Sequence, residues 1–158
     1  MSGVTMTVLS RWFAWTPNRT FVLYPLCVIA FELLAYRRLD FVWQAAPLLP
    51  WGYLQYRLTG QFRRATGGGG PGLEVPPERI VDTGIYHFTR NPMYLGHLIF
   101  LTGLALTFRS WLGLALLIGC AIWFDRRVRG DEAKLEARFG DAYQDYKQRV
   151  KRRIPFVC

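Results

Sequence analysis

The sequence predicts an all-α protein, a multi-pass membrane helical bundle of about four spans with a C-terminal cytoplasmic amphipathic helical segment. Three observations carry that expectation. Four apolar stretches, 21–35, 41–56, 93–108 and 111–124, hold a single charged residue between them, Glu32. The Lys and Arg residues fall almost entirely on alternate sides of those stretches, and beyond Phe124 the chain turns polar and basic. At 158 residues the length allows one domain, 1–158, divided into a first helical hairpin at 20–58, a cytoplasmic loop at 59–83 and a motif-bearing half at 84–156.

Composition narrows the class further. Apolar residues make up 51% and aromatics 16%, which excludes a disordered or collagen-like chain. The net charge of +9 would suit a nucleic-acid module, but such modules spread their cations along one polar face, and here long stretches carry none. No nucleic-acid partner is expected. Cys27, Cys120 and Cys158 are too few for a disulfide scaffold, and no metal-ligand spacing exists, so no metal is expected. Residues 1–15 lack the pattern of a signal peptide, Ser2 excludes N-myristoylation, and Cys158 as the last residue cannot head a prenylation box.

Each apolar stretch is shorter than the ~20 residues that cross a ~30 Å hydrocarbon core, so flanking residues must extend it. Residues 93–124 carry one formal charge, Arg109. A single helix of that length would measure about 48 Å, so the run reads as two antiparallel helices turning at Arg109, with Ser110 capping the second. Asn91 is placed as the N-cap of the third helix and Pro92 as its first residue. Glu32 is expected to pair with Arg37 or Arg38 at the membrane edge. In the middle loop Gly67-Gly68-Gly69-Gly70-Pro71-Gly72 reads as a flexible linker. No Walker lysine follows it, and no strand with Gly-x-Gly-x-x-Gly occurs.

Charge sets the orientation. Arg11, Arg19, the five arginines between Arg57 and Arg90 and the ten cations from Arg126 to Arg153 fall on one side of four spans. Only Arg37, Arg38 and Arg109 fall on the other, which predicts that the N-terminus, middle loop and C-terminus face the cytoplasm. In the tail, Gly130 reads as a break with Asp131 capping a new short helix, and Phe139-Gly140-Asp141 as a second stop and restart. Residues 141–153 place Tyr143, Tyr146 and Val150 three and four apart among cations. That spacing describes an amphipathic helix on an anionic membrane surface, although charge alone favours a plain basic tail.

The densest chemistry lies in 84–96, where two tyrosines, His87, Arg90 and Asn91 crowd the start of a membrane helix. Taken singly, each has a bland reading as a turn glycine, an interfacial aromatic or a positive-inside anchor. Together, Gly84, Tyr86, Arg90, Asn91, Pro92, Tyr94 and Gly96 match a Gly-x-Tyr-x-x-x-Arg-(His or Asn)-Pro-x-Tyr-x-Gly run. A second block follows, with Asp131-Glu132, Leu135, Phe139-Gly140, Tyr143, Tyr146, a basic stretch around Arg149 and Pro155-Phe156. Residues 80–156 thereby resemble the integral-membrane methyltransferases that include isoprenylcysteine carboxyl methyltransferase and the phospholipid N-methyltransferases.

The resemblance implies S-adenosylmethionine as donor, in a cytoplasm-facing pocket between the third and fourth helices and the C-terminal segment. It makes 84–156 the donor-binding half, with Tyr86, His87, Arg90, Asn91, Pro92, Tyr94, Leu95, Gly96 and Glu132 as the donor-binding set. Arg90 would hold the donor carboxylate and Glu132 its ammonium or ribose, while Arg149 would orient the acceptor; these three form the catalytic set. The acceptor implied is a lipophilic small molecule or lipid carrying a carboxylate or an amine, reached from the membrane lipids. Asn91 in place of His, and Asp131-Glu132 in place of a glutamate run, point away from the prenylcysteine subgroup. His97 is expected to make a structural hydrogen bond to a neighbouring helix, ahead of a role in acceptor contact. Two alternatives stand beside this reading, an NADPH-dependent membrane lipid or steroid-type reductase and a non-catalytic membrane scaffold. The reductases resemble the same half but carry Pro-Asn-Tyr then Gly-Glu, whereas Asn91-Pro92-Met93-Tyr94 and Gly96-His97 stand here.

Overall fold

The computed structural model describes Trp12 and residues 15–69 and 77–152, and among these it is helical with no strand. Helix α1 runs Thr16–Tyr36 and contains one wide turn, Arg19–Leu23, of π geometry. Helix α2 is Leu48–Gly67, α3 Pro92–Thr107, α4 Trp111–Phe139 and α5 Asp141–Arg149, with a 3-10 turn at Gly84–His87 before α3. Residue 37 ends α1 in the left-handed conformation, and Gly68, with φ 71°, ends α2. Asp131, Glu132, Leu135 and Phe139 of the second block are thus on α4 and Tyr143, Tyr146 and Arg149 on α5, while Pro155-Phe156 lie outside the described residues.

The hairpin at Arg109 forms as expected. Arg109 takes a left-handed φ of 48°, and the Ser110 hydroxyl accepts from the Gly113 N–H at 3.2 Å, capping α4. The second apolar stretch behaves differently. A helix over 41–56 would bury Pro47 in its interior, where the ring clashes with the preceding turn and no N–H is donated. Residues 43–47 instead form turns, with the Val42 N–H donating to the Thr107 carbonyl at 2.7 Å, and the helix starts after Pro47. It then continues to Gly67, so the connection expected from residue 59 begins only at Gly68.

Gly130 is not a break either. An isolated glycine costs a helix about 1 kcal/mol, and α4 runs through it for 29 residues because Val128 and Glu132 on either side are buried. Asp131 therefore caps nothing. The stop at Gly140 does occur, at φ 54°. Helix α5 buries Tyr143 and Tyr146, and Val150 just after it, against Ile80, Leu135 and Phe139. Its apolar face is thus covered by protein and not by a lipid surface.

Glycines set how closely the helices pack. α2 and α3 are antiparallel and almost touch. A Cβ at Gly96 would lie 2.7 Å from the Tyr56 backbone nitrogen, and one at Gly52 would lie 2.4 Å from that of Phe100. Such small-residue contacts let backbones approach where lipid offers no hydrophobic drive to association. Gly113 plays the same part between α4 and Ala105 of α3. Helix α1 lies across this pair through Val28, which is fully buried with Leu101, Leu104 and Phe108. Glu32, one turn beyond, has Oε1 buried without a hydrogen-bond partner, and Arg38 pairs with Asp40 at 3.7 Å, so the expected pairing of Glu32 is not made through that atom.

Helix α1 is long and apolar enough to cross a bilayer, and α3 is a shorter apolar helix. Bulky apolar side chains point outward along them and their neighbours, with Leu34 at 83% exposure, Trp43 at 76% and Trp111 at 73%. Exposed apolar area of this kind marks a membrane or partner surface. Gly96→Ala should lower the unfolding midpoint in detergent by the equivalent of about 1–3 kcal/mol, because backbone must move to admit the methyl. Gly119→Ala, with nothing within 4 Å of its added Cβ, should leave it unchanged or raise it slightly.

Candidate functional site: an arginine and acid centred cavity

A cavity of about 620 Å³ opens at the end of the bundle where α1 begins, α2 ends and α3 begins. Its walls include Tyr86, Arg90 and Asn91 from the turn before α3, Tyr94 and His97 from α3, and Asp131 and Glu132 from α4. Helix α4 reaches this far because it is unbroken at Gly130. The second motif block thereby meets the first.

The polar centre is Glu132, whose side chain is 5% exposed. Arg90 approaches its Oε1 at 3.3 Å, and Arg152 donates to Oε2 at 2.7 Å through Nη2 and 3.1 Å through Nε. A carboxylate this buried is tolerated because both oxygens are engaged by cations. Arg152 arrives there because residues 151–152 return alongside 89–91. The Arg90 N–H donates to the Lys151 carbonyl at 3.0 Å, and Asn91 Nδ2 and the Thr89 hydroxyl donate to the Arg152 carbonyl at 3.2 and 3.3 Å. Asn91 does occupy the N-cap position of α3, but its side chain binds this returning segment and not the helix.

Arg90 is left partly unsatisfied. Its side chain is 8% exposed, and Nε and Nη1 are buried with no hydrogen-bond partner. Buried guanidinium donors without an acceptor are costly, and here they belong to a residue of the cavity wall. An anion is the group that satisfies them. One turn into α3, the Tyr94 hydroxyl donates to Asp131 Oδ2 at 2.8 Å, fixing that carboxylate beside Glu132. Tyr146 donates to the Tyr86 carbonyl at 2.7 Å, which ties α5 to the turn. Burial pushes the Tyr86 hydroxyl up to about 12, and it raises Tyr143 and Tyr146 as well.

The structure brings together Tyr86, Arg90, Asn91, Pro92, Tyr94 and Glu132 of the expected set. Four others fall elsewhere. His87 is exposed and packs edge-on against Phe88 at 5.4 Å, because the 3-10 turn directs Tyr86 inward and its neighbour out. Leu95 is not on the cavity wall, since it sits on a different face of α3 from Tyr94. Gly96 meets α2 and serves close packing. Arg149 reaches outward to Asp82 at 3.8 Å with 62% of its side chain exposed, while Arg152, three residues on, takes the inward place. Sequence reasoning also missed Tyr56 and Arg63, which α2 supplies because it runs past residue 58.

Residues 70–142 match the family model described as phospholipid methyltransferase. The chain is 32% identical over 80 residues to a protein-S-isoprenylcysteine O-methyltransferase of Schizosaccharomyces pombe, covering 49% of this chain and 34% of that one. Residues 70–142 contain the first block and Asp131 to Gly140 of the second, while Tyr143, Tyr146 and Arg149 lie beyond them. Over about half its length the chain is similar to the phospholipid methyltransferases and the protein-S-isoprenylcysteine O-methyltransferases. An Arabidopsis thaliana protein-S-isoprenylcysteine O-methyltransferase B is 32% identical over 81 residues, covering 50% of this chain and 41% of its own length. A methanethiol S-methyltransferase 1 of Bradyrhizobium diazoefficiens is 32% identical over 91 residues, covering 54% of this chain and 29% of its own length. The matched stretch spans about a third of the length of these curated relatives.

Glu132→Ala should destabilise the fold by about 3 kcal/mol in denaturant unfolding, since it leaves Arg90 as an uncompensated buried charge. Arg152→Ala should cost less, about 1 kcal/mol, because that side chain is 34% exposed. A second outcome follows from Tyr86, whose folded pKa is raised. Its contribution is full below pH 10 and is lost as the pH rises toward 12, so unfolding midpoints should fall over that window and less so in Tyr86→Phe.

Proposed function

We propose that this protein transfers a methyl group from S-adenosylmethionine to a lipophilic acceptor at the cytoplasmic face of a membrane. The observation that carries the reading is the pair of buried, unpartnered donors on Arg90, beside a carboxylate pair, in a cavity built by the two family motif blocks. The residues fit the donor's methionine end, which presents a carboxylate and an ammonium on one carbon. Arg90 would hold the carboxylate through an unpartnered guanidinium N–H, Nε or Nη1, as a charge-assisted hydrogen bond. Asp131 is assigned the ammonium. Glu132, with both oxygens engaged, positions Arg90 and Arg152. Tyr86, Tyr143 and Tyr146 would pack on the flat purine.

When bound, the donor supplies a sulfonium methyl for in-line displacement, chemistry that needs orientation and dehydration more than a protein nucleophile. The chain contributes both. Residues 150–152 and α5 close the polar end over Arg90, and the Tyr94 to Asp131 bond keeps the acid from swinging into water. Arg149 is assigned no part in acceptor orientation, since its side chain lies outside the cavity on Asp82.

The membrane arrangement is proposed with it. Helices α1, α2, α3 and the first two thirds of α4 would span. At 29 residues α4 is about 44 Å long, so its last third stands clear of a ~30 Å core and carries Asp131 and Glu132 into the cytoplasm. Arg37, Arg38 and Arg109 lie at the end away from the cavity, and the positive-inside bias then puts the cavity in the cytoplasm. Charged donor and lipid acceptor can each enter from their own medium.

Calorimetric titration of the protein in lipid nanodiscs should give saturable S-adenosylmethionine binding and none for NADPH. Arg90→Ala should lose that binding, at least a hundredfold in affinity, with the helical circular dichroism kept; unchanged affinity would overturn the site. For topology, Glu78→Cys should react with an impermeant maleimide only from the cytoplasmic side and Arg109→Cys only from the opposite side.

A further inference from the structure

The cavity has two unlike ends. At one lie Arg90, Asp131 and Glu132; deeper along α3, one turn beyond Tyr94, lies His97, whose surroundings are aromatic. Its imidazole stacks on Phe21 at 4.8 Å between ring centroids, and Tyr56 and Phe124 stand at 4.8 and 5.3 Å. The residue is 3% exposed, yet it belongs to the cavity wall and its Nδ1 has no hydrogen-bond partner. The structural hydrogen bond expected of it is thus not made through Nδ1. Buried polar atoms are nearly always paired, and one left open on a cavity wall is satisfied by what enters the cavity. The aromatic neighbours supply no cation. Arg63 of α2 and Arg127 of α4 line the same cavity.

Resting on the methyl-transfer reading, we infer that His97 is the proton acceptor for a lipophilic acceptor that must shed a proton to react, a thiol or an amine. The balance is simple. The S–H or N–H bond of the acceptor breaks, its proton passes to the imidazole, and its electron pair forms the new bond to the methyl carbon. The sulfonium–methyl bond breaks with its electrons remaining on sulfur, which leaves a neutral thioether, and the imidazolium returns its proton to water. An ammonium acceptor loses its proton to the same ring before attack. Positioned general bases of this kind contribute about a hundredfold or more to rate.

The chain contains two histidines, so 15N-histidine labelling gives one signal from His97 and one reference from the exposed His87. In nanodiscs without donor, dodecanethiol or dodecylamine should shift the His97 imidazole resonances and leave His87 in place, while laurate should shift neither. A response to thiol alone or to amine alone assigns the source of the proton. With donor present, His97→Gln should lose about a hundredfold in transfer to the responding acceptor while donor affinity holds. A His97 response to laurate only, no response to any of the three, or undiminished transfer in His97→Gln would overturn the inference. If His97→Gln does not fold, the spectra of the unaltered protein decide. Failure of the wild type to bind the donor would instead count against the methyl-transfer reading, and the imidazole response would still test the proton acceptor.

Discussion

The architecture depends on one buried carboxylate. Glu132 lies out of water at the place where the turn before α3, the long helix α4 and the returning residues 151–152 meet, and it is held from two sides by Arg90 and Arg152. Neither charge would be stable there alone, since desolvating a single ion costs several kcal/mol. The three segments are therefore mutually dependent. If Arg152 withdrew, Glu132 would keep only the 3.3 Å contact to Arg90, and the segment that covers the cavity would lose its anchor. The arrangement also explains why Arg90 still has donors to spend. Glu132 takes one end of the guanidinium and leaves Nε and Nη1 unmet.

Close helix packing makes that meeting possible. Gly52 and Gly96 allow α2 and α3 to approach until a single methyl would strike backbone, and Gly113 does the same for α3 and α4. With α3 clamped between its neighbours, the positions of Tyr94 and His97 relative to α4 are set by rigid elements, and Arg90 sits in the turn that leads into α3. Tyr94 and His97, three residues apart, both touch Phe124, so one face of α3 carries the cavity from its polar end to its aromatic end. A polar end for a charged ligand and an aromatic end for a lipophilic one is the division that a reaction between water-borne and membrane-borne partners requires.

Much of this was legible in the residues. The turn at Arg109 followed from the length of a run with that one charge, and the Ser110 cap from its chemistry, because both are local effects. Where local signals competed with packing, packing won. Gly130 looks like a helix stop, but the burial of Val128 and Glu132 outweighs about 1 kcal/mol of glycine penalty. Pro47 worked in the opposite direction, overriding an apolar run that read as helix from residue 41.

The sequence by itself determined the chemical inventory: Arg90 and an acidic pair about forty residues apart, tyrosines around them, apolar helices between, and cations on one side. Motif spacing could show that these residues act together. It could not choose between Arg149 and Arg152, which are three apart in a basic tail. That choice is made by hydrogen bonds from Arg90, Asn91 and Thr89 to the backbone of residues 151–152, contacts about sixty residues distant in the chain. Nor could it show that Gly96 meets a helix while His97, its neighbour, meets the cavity. Adjacent residues on a helix point about 100° apart, and which direction is core, cavity or lipid is decided only when the other helices are in place.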